Sequence, residues 1–352
     1  MGVAAQSIAD LVLGTLNKLG RMKFTSLAER LTEYEFLPRF INKKRLKIED
    51  DGIGFEFTVV TDHSNQARNV KLYEEDIVNI VDTNKRGFVP WRHTTTNWSF
   101  ERRETLMNRG ESKITDIITT RRFASLISLA ERMEADGWSK PVDSTDDVTP
   151  FGMFYWIVPR ASGNNSAGFD GGNPAGFSGG AGNIDSTIYT RWRNWAATYT
   201  DVSKPDLITK MRQAANRTKF KSPIDHSDYS TGAGEAFRIY VNELTLRSME
   251  DLGEQQNENL GRDIASVDGT LMFRKNAIIY IPKLDEATAP ANPVLMTNWN
   301  YFELKALRGD VLRESDKTEA PNQHNVATIH LDHTWNTCCT NRRRQVLLHN
   351  IY

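Results

Sequence analysis

The stretch Glu111–Asp136, ESKITDIITTRRFASLISLAERMEAD, decides the fold. Its apolar side chains Ile114, Ile117, Ile118, Leu126, Ile127, Ala130 and Met133 recur close to the period of one buried helical stripe. Ser112 is placed to cap the first turn, and Gly137 stands where a left-handed residue would close the last. At about 1.5 Å per residue the helix would be a rod of roughly 35–40 Å. Its stripe is expected to pack on strands that return to it later in the chain.

What precedes the helix reads as a long strand-like arm. Ile53, Phe55, Phe57 and Val59 alternate with Gly54, Glu56 and Thr58. From Arg92 to Arg102 the alternation resumes, with Thr94, Thr96, Trp98 and Phe100 on one face and His93, Thr95, Asn97 and Ser99 on the other. These two strands are expected to pair as an antiparallel arm; Tyr73–Val81 between them fits a helical turn or a strand. An isolated two-stranded ribbon is marginal in water, and its edges invite pairing. The arm is therefore expected to lie on another copy of the chain, with Phe55, Phe57, Trp91, Trp98, Phe100, Arg102 and Arg103 as candidate subunit-interface residues.

Further upstream, Ile8, Leu11, Val12, Thr15, Leu16 and Leu19 fit a short amphipathic helix ending at Gly20. Phe24–Leu37 reads as a second helix, ended by Pro38. Lys43, Lys44, Arg45 and Lys47 form a basic cluster: a solvated charge run, or a surface facing DNA or a scaffold.

The totals bound the function. The 352 residues suffice for one large or two ordinary domains. A formal net charge of -1 argues against tight, charge-driven DNA binding, which needs a basic excess. A container that touches DNA without gripping it remains compatible. The two cysteines, Cys338 and Cys339, are neighbours and read as reduced thiols of a protein assembled in the cytosol. The apolar stretch Ile8–Leu13 lacks a preceding basic region and is too short to span a membrane.

Downstream of the helix, Phe151–Val158 reads as a buried strand before Pro159. Eight of the twenty residues from Gly163 to Gly182 are glycine, with Phe169 and Phe177 among them. Such a loop is ordered mostly when something else holds it, so it is expected at an interface. Residues 187–282 read as a compact α/β unit. Ser203 and Pro205 open a helix with Leu207, Ile208, Met211, Ala214 and Ala215 on one face. Phe237, Ile239 and Val241 alternate as a strand, a polar helix covers about Ser248–Asn259, and two short strands turn at Arg274–Asn276. Asp285–Pro293 is a linker. Val294–Asn298, Thr328–Leu331, Trp335–Cys339 and Val346–Leu348 are expected to return to the domain of the long helix.

Catalytic signatures are weak. Gly176-Phe-Ser178-Gly-Gly180 matches G-x-S-x-G, but a nucleophile elbow needs a strand before and a helix after the serine. His330 and His333, three apart in a strand, point to opposite faces and do not suit one metal. No catalytic, cofactor or metal residues are assigned. Arg342-Arg343-Arg344 is the strongest local charge feature and reads as a strand-end cluster paired with carboxylates of this or a neighbouring copy. The alternative is loose contact with packaged phosphate.

The run Phe237–Asp285, the segment Asn298-Trp-Asn-Tyr301-Phe302 and the ending His333-Thr-Trp335-Asn336-Thr-Cys338-Cys339-Thr-Asn341-Arg342-Arg343-Arg344-Gln345 together resemble the major capsid proteins of tailed bacteriophages. The resemblance implies an α+β fold of named parts. These are an N-terminal arm (1–45), an extended two-stranded loop (46–104), a peripheral domain with the spine helix and Gly-rich loop (105–186), an axial α/β domain (187–285) and strands returning to the peripheral domain (286–352). It implies a non-enzymatic structural protein that self-assembles as hexamers and pentamers into an icosahedral shell around double-stranded DNA, located in the virion capsid and assembled in the bacterial host cytoplasm. Many relatives begin with a long cleavable scaffolding segment. Only about fifty residues precede the extended loop here, so a separate scaffolding protein is expected, with a portal and a candidate cement protein. Candidate interface residues then include Phe169, Phe177, Arg342, Arg343 and Arg344 beside those of the arm. Two rivals are kept: an encapsulin-type nanocompartment shell, and a serine hydrolase using Ser178.

Overall fold

A computed structural model describes residues 34–41, 46–50, 52–62, 68–72, 83–107, 111–160, 167–220, 236–257, 271–274, 276–286, 290–320 and 323–350. The expected helices upstream of Tyr34, the basic residues Lys43, Lys44 and Arg45, and the ambiguous stretch Tyr73–Val81 lie outside the described residues, save Glu35–Leu37.

In chain order the elements are α1 (Phe36–Ile41), β1 (Leu46–Glu49), β2 (Gly54–Val60), β3 (Asn84–Pro90), β4 (Arg92–Glu101), α2 (Arg102–Met107), α3 (Glu111–Gly137), α4 (Met153–Trp156) and β5 (Ala167–Gly171). Then follow β6 (Asn194–Tyr199), α5 (Thr209–Arg217, entered through a π-helical turn), β7 (Phe237–Val241), α6 (Glu243–Asn257), β8 (Met272–Phe273), β9 (Asn276–Tyr280) and β10 (Val294–Asn298). The chain ends with β11 (Phe302–Leu307), β12 (Arg313–Glu314), β13 (Thr318–Ala320), β14 (Gln323–Cys339) and β15 (Val346–Asn350).

The spine helix α3 forms over 27 residues, as its periodicity dictates. Its ends differ from the expectation. It starts at Glu111, so Ser112 lies inside the first turn. Gly137 belongs to the last turn and is not left-handed; it is needed because a Cβ there would come within 2.4 Å of the Phe36 ring. The buried stripe in the described half runs through Ser125, Leu129 and Met133, with Leu126 and Ala130 half-buried.

Pro38 does not end a helix; it sits in the first turn of α1. Proline is tolerated there because first-turn N–H groups have no intrahelical partner. Those groups are taken by one buried carboxylate on α3. Glu134 accepts from the backbone N–H of Glu35 (3.1 Å), Phe36 (2.8 Å) and Leu37 (3.0 Å), and from the Trp138 indole (2.9 Å). A negative charge facing a helix N-terminus is the favourable polarity.

Two sheets carry the rest. The six-stranded sheet has the order β1-β11-β14-β12, with β4 and β13 also paired to β14. The seven-stranded sheet has the order β5-β6-β15-β10-β7-β9-β8. The two strands expected to form the arm do not pair with each other. β2 pairs with β3, Gly54 opposite Pro90 through Val60 opposite Asn84. β4 instead runs antiparallel along β14 for ten residues, from Arg92 opposite Trp335 to Glu101 opposite Val326. Its predicted faces are as read: Arg92, Thr94, Thr96, Trp98 and Phe100 turn inward while His93, Thr95, Asn97 and Ser99 are exposed.

The return strands divide between the sheets. Thr328–Leu331 and Trp335–Cys339 are parts of one 17-residue strand, β14, in the sheet against which α3 packs through β4. The polar break His333-Thr334 does not interrupt it, because both side chains are buried. β10 and β15, however, join the seven-stranded sheet. They are buried on both faces: Val294, Met296, Val346 and Leu348 face a core shared with Leu207, Met211 and Ala214. Leu295 and Leu347 face the other core, shared with Phe36, Met133, Trp138 and Trp299. A strand apolar on both faces belongs in the middle of a covered sheet.

Phe151–Val158 is not a strand. It contains the short helix α4, whose four residues are all buried. A Cβ on Gly152 would lie 2.3 Å from the Ser139 carbonyl oxygen, so glycine alone lets this turn dock on the end of α3. The helices α5 and α6 follow the sequence more closely, although α6 starts at Glu243, five residues before the expected Ser248.

Candidate assembly surfaces

The aromatic residues of the arm are spent inside the subunit. Phe55 (4% exposed) packs on Trp91 at 5.2 Å, under the Lys305 ammonium at 4.6 Å. Phe57 meets Trp156 and Trp192 at 6.0 and 6.1 Å. Gly87 and Gly182 leave room for its ring, since a Cβ on either would fall within 3 Å of it. Trp98 is also buried and stacks on Phe100 at 5.8 Å. Phe55, Phe57, Trp91 and Trp98, expected against another copy, are buried within their own chain. The alternation identifies a face, and that face finds its partner within the same chain.

Several apolar side chains among the described residues stay exposed. Ile53 (87% exposed), Val60, Val70 and Leu72 (84% exposed) present aliphatic side chains to the outside. Phe123 on α3, Val142 and Val148 on either side of the acidic residues Asp143, Asp146 and Asp147, and Ile188 are exposed as well. Ile53 shares the alternating face of Phe55 and Phe57 yet is exposed at the strand's start; Val60, out of phase with the buried rings, is the exposed position that alternation points to. Arg102 and Arg103 are exposed, Arg103 lying 3.9 Å from Glu101. Phe100 is half-buried beneath the Lys317 ammonium at 5.1 Å.

The described part of the Gly-rich loop, from Ala167 on, is held by its own chain. Asn173 donates to Asp185 (2.8 Å) and accepts from the Ser186 backbone N–H (2.9 Å). The Gly182 N–H donates to the Tyr155 hydroxyl at 2.9 Å, and the Gly182 carbonyl accepts from Phe88 at 3.0 Å. Phe177 packs edge-on against Phe151 and Tyr155, and Phe169 edge-on against Trp195. Ser178 is exposed in a run of turns between Gly176 and Gly180, both left-handed. The strand-turn-helix of a nucleophile elbow is absent at this serine.

The arginine triplet is split three ways by its local geometry. Arg342–Arg344 is one 3₁₀ turn, which splays successive side chains by about 120°. Arg342 is fully buried and donates to the carbonyls of Trp156 (2.7 Å), Gly172 (2.8 Å) and Trp192 (2.9 Å), and to the Asn194 side-chain oxygen (3.3 Å). Burial lowers its pKa to about 10, which leaves it charged at neutral pH. Arg344 donates to the Thr218 carbonyl at 2.9 Å. Arg343 is exposed and lies over the Phe169 ring at 4.3 Å. Among the described residues no carboxylate pairs with Arg342, contrary to the expected ion-pair cluster; the guanidinium gathers backbone carbonyls from three segments and the Asn194 side-chain oxygen. Lys47, the described member of the basic cluster, pairs with Glu303 at 2.6 Å across the β1–β11 strands.

The remaining titratable groups serve the fold. Partial burial opposes ionisation of Asp146, but backbone N–H donation from Thr149, Val148 and Val142 outweighs it and holds the pKa at about 2. His330 is exposed while His333 is buried on the opposite face of β14, where desolvation pushes its pKa down to about 4. Its Nδ1 accepts the Leu312 N–H at 3.3 Å. Burial raises both cysteine thiols, Cys339 to about 12. Among the described residues no group of three or more His, Cys, Asp or Glu side chains is placed to hold a metal ion, and no helix is long and apolar enough to cross a membrane.

No family model matches the sequence, and no curated protein matches it. Solved structures do match the fold. The capsid protein in the asymmetric unit of cyanophage A-1(L) is 11% identical over 96% of this chain and 99% of its own, with a TM-score of 0.63. The capsid of Myoviridae phage XM1 is 9% identical over 95% of this chain and 98% of its own, with a TM-score of 0.54. The SrpI encapsulin of Synechococcus elongatus is 9% identical over 95% and 94%, with a TM-score of 0.50. The chain has the tailed-phage major capsid fold.

Proposed function

We propose that this chain is a structural shell protein, the major capsid protein of a tailed phage. It assembles as hexamers and pentamers into an icosahedral shell around double-stranded DNA. The observation that carries the reading is the likeness to the cyanophage capsid protein, which extends over nearly the whole of both chains rather than over one shared sheet. The surfaces fit it. A near-neutral chain can line a DNA-filled vessel without trapping the genome. Exposed apolar side chains on the arm and spine provide apolar contacts for closure around rotation axes. Its partners on this reading are other copies of itself, a separate scaffolding protein, a portal and a cement protein, with loose contact to packaged DNA. Its place is the virion capsid, after assembly in the host cytoplasm.

The encapsulin match supports a second reading, a shell loaded with protein cargo. Particles purified from cells producing the chain distinguish the two. Nuclease-protected double-stranded DNA inside them supports the capsid, whereas protein cargo with no nucleic acid supports the nanocompartment. A chain that sediments only as a monomer of 40.0 kDa, with or without its scaffolding partner, refutes both.

A further inference from the structure

Between α3 and α4, residues 141–150 form a projection held in shape by its own carboxylates. Pro141 and Pro150 are buried at its feet. Asp146 accepts from the backbone N–H of Val142 (3.3 Å), Val148 (3.1 Å) and Thr149 (3.0 Å), and Asp143 from that of Thr145 (2.8 Å). The Ser144 N–H donates to the Gly176 carbonyl at 3.2 Å. Yet the loop turns Val142 (78% exposed) and Val148 to the outside. Between them in sequence, the Asp147 side chain is 87% exposed and lies 3.5 Å from the buried Arg92 guanidinium. A loop already ordered in the free subunit loses little conformational freedom on contact, and covering its valines adds a favourable apolar contribution.

A pocket of about 420 Å³ opens where the end of β2 meets Arg191, Tyr301 and Arg343. No residue of the 142–148 loop lines it. Its charged lining is Arg191, Arg343 and Asp62, one positive charge in excess. Asp62 lies 3.4 Å from Arg191. Arg343 rests on the Phe169 ring, and among the described residues no carboxylate pairs with it. Val60 in the lining and Ile188, three residues before Arg191, are exposed. The two surfaces are complementary: one sets carboxylates between exposed valines, the other sets guanidinium groups beside exposed aliphatics. A phosphate backbone would satisfy the arginines but leave Val60 and Ile188 wet, whereas a protein loop covers both.

We propose that the 142–148 loop of one copy docks on the pocket of Arg191 and Arg343 in the next, with Asp147 meeting Arg343. This pairing rests on the shell reading and gives it a specific contact. Loop and pocket are different patches of the chain, so the contact runs head to tail, the kind that closes rings. Opposite charges at such a contact fix partner and register, and like charges oppose it.

The test uses shells purified from cells that produce the full chain with its scaffolding partner. Arg343→Glu and Asp147→Lys each set like charges face to face and are expected to lower shell yield about tenfold or more. The two combined exchange the charges and are expected to regain most of that yield. Both positions are exposed, and urea unfolding of the unassembled subunit checks that each variant folds. As a second measurement, Arg343→Lys keeps the charge and offers an amine. Carbodiimide treatment of its shells is expected to join the introduced lysine to the 143–147 segment of another chain, seen as multiples of 40.0 kDa and mapped by mass spectrometry. Full yield from both single reversals, no gain on combining them, or coupling only to other segments overturns the contact, while parent shells leave the shell reading standing. A reversal that costs the shells their DNA at unchanged yield assigns the pocket to phosphate and equally overturns the contact. No shells from the parent chain overturns the reading and the contact together.

Discussion

Replacing Arg342 by methionine keeps much of the side-chain volume and removes every donor. Three backbone carbonyls, those of Trp156, Gly172 and Trp192, then lose their partners in a site closed to water. Each hydrogen bond to a charged donor is worth about 1.5–3 kcal/mol, and each buried acceptor left alone costs about 1–3 kcal/mol. These penalties overlap and the site can relax, so the expected loss is about 4 kcal/mol, a large share of a typical ~5–15 kcal/mol stability. Arg342→Lys is expected to lose less, about 2 kcal/mol, because an ammonium can reach some of the carbonyls but lacks the planar fork. Urea unfolding of the unassembled subunit at pH 7 reads both values. If Arg342→Met lies within about 1 kcal/mol of the parent, the guanidinium is not the clasp between these segments.

Other perturbations follow from the same contacts. Glu134→Gln turns an amide N–H₂ toward donors that now face a carboxylate; the amides of Phe36 and Leu37 are expected to exchange at least tenfold faster, with a stability loss of about 2 kcal/mol. Gly137→Ala drives a methyl into the Phe36 ring and is expected to cost about 1–3 kcal/mol, measured as a lowered Tm. His333 has a folded pKa of about 4 against an ordinary 6.5, so the unfolded chain binds more protons between those values and stability falls as pH drops through that window. The loss attributable to this group is about 3 kcal/mol at full development, and His333→Gln is expected to flatten that part of the stability–pH curve.

The spine helix and the faces of β4 were legible because amphipathic periodicity is a local property. Partnership was not. Alternation in β4 says which side chains turn inward but not that the neighbour is β14, more than two hundred residues away. Phe151–Val158 misled because a short, uniformly apolar run has no period to read, and burial alone does not separate a helical turn from a strand. In β10 and β15 the informative feature was apolarity on both faces, the mark of central strands, here of the seven-stranded sheet. Arg342 was hidden for a different reason. Its partners are backbone carbonyls, which leave no complementary residue type in the sequence. The arm was half legible: its strands were found, but the rings that are costly to expose are the ones the subunit buries.

The central claim is that this chain builds closed shells. Electron microscopy of particles purified from cells that produce the chain with its scaffolding partner tests it most directly. The account predicts closed icosahedral shells whose five-fold and six-fold capsomers are built from copies of this 40.0 kDa chain. A uniform population of monomers, without shells under those conditions, would contradict it.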